Sequence, residues 1–193
     1  MAGASLIEVL VSIVIASVGL LALAGINAAS LRYGKLSQYR ATATQLATDI
    51  AERMRANNVN GATVVAGVST AVTNVNRYAY TQTFALQEAA VPVAPNPSCE
   101  SSAHTCTADQ IAAADLYRWR LTVRDNLPSG SVFLLPDAAV TSAGAADLWI
   151  VWRDAAVKST DEQVRTGGAR ECPIDLEVST DSSIRCLYFR VTL

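Results

Sequence analysis

Few side chains in this sequence are placed to do chemistry. The chain carries four cysteines, Cys99, Cys106, Cys172 and Cys186, one histidine, His104, and a carboxylate, Glu8, immediately before a long uncharged run. Four cysteines can pair in three ways. The local pairs, Cys99 with Cys106 and Cys172 with Cys186, would staple a proline-rich loop and the terminal loop, support that suits a small sheet with a limited core. The spacing fits none of the usual zinc patterns, because no Cys-x-x-Cys occurs and no second histidine is present, so no metal is expected. Enzymatic signatures are missing too: there is no Gly-x-Ser-x-Gly elbow, phosphate loop or His-Glu-x-x-His helix. His104 reads as a surface loop residue between two cysteines, and Asp109 and Asp115, six positions apart, fall on different helix faces instead of forming an acid/base pair. Neither an enzyme nor a cofactor is expected. Trp119, Trp149 and Trp152 could line a carbohydrate or partner surface, but buried aromatics dominate small cores, so at least two of them belong inside.

The elements that position these residues follow from how charge is distributed. Lys and Arg number 15 and Asp and Glu 17, and all of them except Glu8 come after Leu31. The run Val9 to Leu31 is charge-free and free of proline; as a helix it would measure about 34 Å, enough to cross a hydrocarbon layer of about 30 Å. Ser12, Ala16 and Gly19 form a small-residue stripe on one face, which would let another helix approach closely in lipid. A secretory signal peptide has a basic start and a shorter apolar centre, and neither is found here. Glu8 at the border of such a span costs free energy unless it is hydrated, protonated or paired, which makes it a functional candidate. A net charge of -2 with no basic cluster argues against nucleic acid as a partner.

The stretch Gly3-Ala4-Ser5-Leu6-Ile7-Glu8-Val9-Leu10-Val11 resembles the class III signal of type IV pilins and type II secretion pseudopilins. The resemblance implies cleavage by prepilin peptidase after Gly3, N-methylation of Ala4 as the mature terminus, and Glu8 as the family's assembly acid. Family members usually have Phe or Met where this chain has Ala4, and usually carry Lys or Arg in the leader, which Met1-Ala2-Gly3 lacks. Later pieces resemble the PilV branch of minor pilins: Ala51-Glu52-Arg53-Met54-Arg55-Ala56-Asn57, Cys106-Thr107-Ala108-Asp109-Gln110 leading into Asp115 and Trp119, Leu127-Pro128-Ser129-Gly130, Trp149-Ile150-Val151-Trp152-Arg153, and the tail from Cys172 to Cys186.

Residue patterning independently predicts an α+β fold, which the resemblance makes type IV pilin-like: a long N-terminal helix packed on a small antiparallel sheet with a second helix. After a leader remnant at 1–3, the first helix is expected over 4–57, with 9–31 in the membrane, because Leu46, Ile50 and Met54 repeat along one face and Asp49 stands four residues before Arg53. Such a helix would be about 80 Å long, too long for one small domain to cover. The head, 58–193, is expected to begin with a loop of uncertain strand content from Asn58 to Ala71, followed by a strand within Arg77 to Leu86 and a proline-rich linker from Ala89 to Ser98. A capping box at Thr107 to Gln110 starts a helix over Ala108 to Asn126 that Leu127-Pro128-Ser129-Gly130 ends. Strands are expected at Val132 to Leu135, Leu148 to Arg153 and Arg185 to Leu193, with helices on one side of the sheet and a mobile loop at Lys158 to Arg170.

Topology rests on two opposed signals. Arg32, Lys35 and Arg40 after the span favour a cytoplasmic head, whereas paired cysteines need an oxidising compartment, and the cysteines decide for the periplasm. The resemblance thus implies a minor pilin held in the inner membrane and then carried into the surface pilus, with other minor pilins, the major pilin and prepilin peptidase as partners. It would prime assembly in a tip complex and support adhesion and twitching motility. The alternatives are a minor pseudopilin of type II secretion and a membrane-tethered periplasmic binding or enzymatic domain.

Overall fold

A computed structural model describes residues 5–57, 62–65, 68–71, 77–99, 105–137, 144–154, 171–178 and 181–193. The fold is α+β. In chain order it has helix α1 (Leu6–Ala56), strands β1 (Ala62–Val65) and β2 (Val68–Ala71), helices α2 (Phe84–Ala89) and α3 (Ala108–Asn126), and strands β3 (Ser131–Pro136), β4 (Ala145–Arg153) and β5 (Ile184–Thr192). It divides into two compact units, Met1–Tyr39 and Arg40–Leu193.

From Leu6 onward the first unit is helix. The apolar side chains of its uncharged run are bare within the chain: Ile15 is 67% exposed, Leu21 73% and Leu31 71%. An isolated helix with this surface would be unfavourable in water, since each aliphatic side chain loses about 1.5–3 kcal/mol of burial. Two of its serines are satisfied within the helix, the Ser12 hydroxyl donating to the Glu8 carbonyl at 2.7 Å and Ser17 to that of Val14 at 2.8 Å. That local bonding lets a serine sit in an apolar medium without an orphaned hydroxyl.

In the second unit, the later part of α1 buries Ala43, Leu46, Ala47, Ile50, Ala51 and Met54 along one stripe. Helix α3 starts at the expected cap: the Gln110 amide donates to Thr107 Oγ1 at 3.3 Å, and the Thr107 amide to Gln110 Oε1 at 2.9 Å. It faces α1 through Trp119, whose indole N–H donates to the Leu46 carbonyl at 2.8 Å. The main sheet is antiparallel with order β3-β4-β5. Leu148, Ile150 and Trp152 of β4 point to one face, and Val151 to the other. Helices are not confined to one side as expected. Phe84 of α2 packs with Phe133, Val151, Leu176, Val178, Ile184 and Cys186 in a cluster that includes the strand residues of the second face. A sheet buried on both faces explains why β4 reads as a nearly unbroken apolar run.

Two earlier segments differ from expectation. Residues 62–65 and 68–71 pair as antiparallel strands with Val65 opposite Val68, in a stretch expected to be a loop of uncertain strand content. The strand expected within Arg77 to Leu86 reduces to one bridge between Tyr80 and Leu134, after which the chain turns into α2 with Thr83 as N-cap. The Lys158 to Arg170 loop lies outside the described residues.

The outer edge of β3 is closed residue by residue. Tyr80 and Leu134 exchange both backbone hydrogen bonds, at 2.9 and 2.8 Å. The Gln87 side-chain amide does the same for Val132, donating Nε2 to its carbonyl at 2.8 Å and accepting its N–H on Oε1 at 3.0 Å. Pro136 has no amide to present.

At the end of α3 the Leu127 amide donates to Val123, and the Gly130 amide closes a turn onto the Leu127 carbonyl at 2.9 Å, with Ser129 at φ 49° stabilised by its hydroxyl donating to Glu88. A Cβ on Gly130 would lie 2.3 Å from the Val123 carbonyl oxygen, a backbone atom that cannot swing away. Gly130→Ala is therefore expected to destabilise the head by about 2–3 kcal/mol, lowering its melting temperature by roughly 5–10 °C. An unchanged melting curve would show that the helix end yields freely.

Candidate functional site

The first candidate lies on the exposed helix. Glu8 stands in its first turn, its amide donating to the Ser5 carbonyl at 2.9 Å, and it is exposed with no ion pair among the described residues. The stripe through Ser12, Ala16 and Gly19 is exposed as well, and a Cβ added at Gly19 or Gly25 would meet nothing within 4 Å. Nothing among the described residues therefore requires those glycines. Gly3 and Ala4, the processing pair expected from the sequence, lie outside the described residues. The uncharged helix is long and apolar enough to cross a membrane, which makes it a candidate anchor.

A second grouping of polar side chains joins the end of α1 to α3. Arg53 Nε donates to Asp49 at 3.1 Å, and its Nη1 donates to Asp115 Oδ1 at 3.3 Å. The Tyr78 hydroxyl donates to Asp115 Oδ2 at 2.9 Å, and Asn57 Nδ2 donates to the Tyr78 oxygen at 3.1 Å and the Ala108 carbonyl at 2.8 Å. Burial pushes the Tyr78 hydroxyl far above the ordinary tyrosine range; the Asn57 bond opposes that rise and the Asp115 carboxylate adds to it. A phenol so placed stays protonated and serves as a fixed donor, not as a base. Burial works against the Arg53 charge, but bonds to Asp49 and Asp115 outweigh it and raise its pKa. The network thus locks α1, the Tyr78 segment and α3 together, and its chemistry is structural. Sequence reasoning found only its Asp49–Arg53 pair, because the other bonds connect residues 21 to 62 positions apart.

The cysteines form two local disulfides, Cys99–Cys106 with Cα atoms 6.0 Å apart and Cys172–Cys186 at 5.2 Å. The second ties β5 to the segment that covers the outer face of the sheet. His104 lies outside the described residues. Asp109 pairs with Arg77 and Asp115 joins the network above, so the two aspartates serve separate partners. Among the described residues no group of three or more His, Cys, Asp or Glu side chains could hold a metal. Trp119 and Trp152 are fully buried, while Trp149 is partly exposed on the second face, in register between Phe133 and Tyr188.

The chain thus defines an α+β head on a helix whose first part is a candidate membrane anchor. No protein-family model, curated protein or solved structure matches it.

Proposed function

We propose that this chain is a minor pilin of the type IV pilus, of the PilV branch, that enters the filament through its N-terminal helix and helps prime assembly within a tip complex. The observation that carries this reading is the pairing of a bare apolar helix with one acid at its margin, Glu8. Lipid satisfies the aliphatic surface before assembly, and packed helices of neighbouring subunits satisfy it afterwards. In that packing the Glu8 carboxylate neutralises the amino terminus of an adjacent subunit, a pairing that low dielectric makes strong once both groups are desolvated. Two disulfides support a head in the periplasm, reached from the inner membrane and later displayed on the cell surface, where the filament serves adhesion and twitching motility.

The test is to measure the mature terminus and follow the chain into filaments. Cells with an active prepilin peptidase are expected to yield a chain starting at N-methylated Ala4 that co-purifies with sheared surface pili. A chain starting at Met1, or cut after Leu31, and missing from the sheared fraction would overturn the proposal in favour of a tethered or secreted domain. Recovery with secretion-system pseudopilins instead of pili would reassign it to type II secretion.

A further inference from the structure

On the second face of the sheet, Phe133, Trp149 and Tyr188 stand side by side on β3, β4 and β5, with ring centroids 5.9 and 5.1 Å apart. Phe133 is buried, Trp149 partly exposed, and the Tyr188 residue 47% exposed. The Tyr188 hydroxyl donates to Asp147 Oδ1 at 2.7 Å; Arg190 donates to the same oxygen at 2.8 Å and also bonds Asp137. Exposed ion pairs of this kind add little stability, about 0–1 kcal/mol, so core formation does not account for three side chains, Asp147, Arg190 and Asp137, fixing one solvent-facing ring. What they do provide is position. Beside the ring lies an open cleft of about 560 Å³ lined by Arg40, Asp147, Trp149, Glu171, Leu187 and Tyr188, within the size range of small-molecule sites.

We propose that this cleft binds a short, uncharged oligosaccharide, with a pyranose ring against Tyr188 and Trp149. The C–H face of a pyranose is weakly positive and suits the negative face of an aromatic ring. Sugar hydroxyls both donate and accept, so they match carboxylates, which only accept, and a guanidinium, which only donates. Glu171, Asp147 Oδ2 and Arg40 supply those groups around the aromatic pair. Counted together, Asp137, Asp147 and Glu171 face Arg40 and Arg190, so the surround carries one more carboxylate than guanidinium, which disfavours sialylated or uronate sugars. An extended peptide added to β5 suits the cleft less well. Cys186 is only 4% exposed, the Ile184 amide already donates to Asp181, and the Thr192 carbonyl accepts from Arg55, which shortens the edge a peptide could pair with. This inference does not depend on how the chain is assembled.

The test uses the full chain in a detergent without a sugar head group, titrated with tri-N-acetylchitotriose, maltotriose and 3′-sialyllactose while tryptophan fluorescence is followed. At least one neutral trisaccharide is expected to give a saturable change, with sialyllactose roughly five-fold weaker or worse. Tyr188→Ala, at an exposed ring, is expected to weaken that binding about ten-fold at an unchanged melting temperature, and Tyr188→Phe to weaken it less. No saturation by any of the three sugars up to about 10 mM, or equal binding by Tyr188→Ala, overturns the proposal. So does binding of an alternating valine-tyrosine pentapeptide in their place, which would reassign the cleft to strand docking.

Discussion

Glu8→Ala is expected to leave the chain inserted in the inner membrane at its normal level and to cut its recovery in sheared filaments at least ten-fold. Insertion depends on the apolar run from Val9 to Leu31, which the substitution leaves intact, and alanine at a helix start is less costly in lipid than a carboxylate. Under the proposed function filament entry is different, because the neighbour's buried ammonium would lose its counter-charge. Breaking such a pair from one side costs about 3–5 kcal/mol, a factor of roughly a hundred or more in a partition between membrane and fibre. Glu8→Gln keeps a polar contact without the charge and should fall between the two. Immunoblots of membrane and sheared fractions from one culture provide the readout, and equal recovery of the alanine variant in both would remove the assigned role of the acid.

Trp119→Ala should be the most damaging single change in the head. The side chain is fully buried between α3 and α1, and removing a tryptophan from a packed site costs about 3–5 kcal/mol. Small domains are stable by only about 5–15 kcal/mol, so this loss takes a large part of the margin. Trp119→Phe retains most of the apolar volume and loses the indole donor to Leu46, a bond worth about 1 kcal/mol, and it should be correspondingly milder. Unfolding is best followed through the fluorescence of Trp149 and Trp152 or by limited proteolysis, since the helical signal of α1 would mask loss of the head. A Trp119→Ala head as resistant to urea as wild type would mean that α3 does not depend on this anchor.

The sequence made some of this architecture legible and left other parts hidden, for physical reasons. Helix α3 could be placed because two local signals coincide: a reciprocal cap at Thr107 and Gln110, and the apolar positions Ala112, Leu116, Trp119 and Val123 on one face. The three strands of the main sheet were visible as short β-branched or aromatic runs between turn residues. Helix α2 was hidden by its length, because six residues make less than two turns and cannot display a helical period. Tyr78 and Tyr80 looked like strand alternation, yet Tyr78 is buried in the Asp115 network and Tyr80 makes one bridge and sits under Arg120, 3.9 Å from its ring centroid. Glu8 stood out as a candidate because a charge beside an apolar run is a local signal. The Tyr188 cleft did not, because residues 40, 147, 171 and 188 meet only after the chain folds.

The closed border of β3 would matter most if the chain, as proposed, waits in the membrane among its own copies before entering a filament. Two heads crowded side by side cannot zip together there, since Gln87 and Tyr80 already occupy the groups a foreign strand would need. One glutamine side chain stands in for a missing peptide unit, and fibril-type growth of this sheet would have to begin at β5.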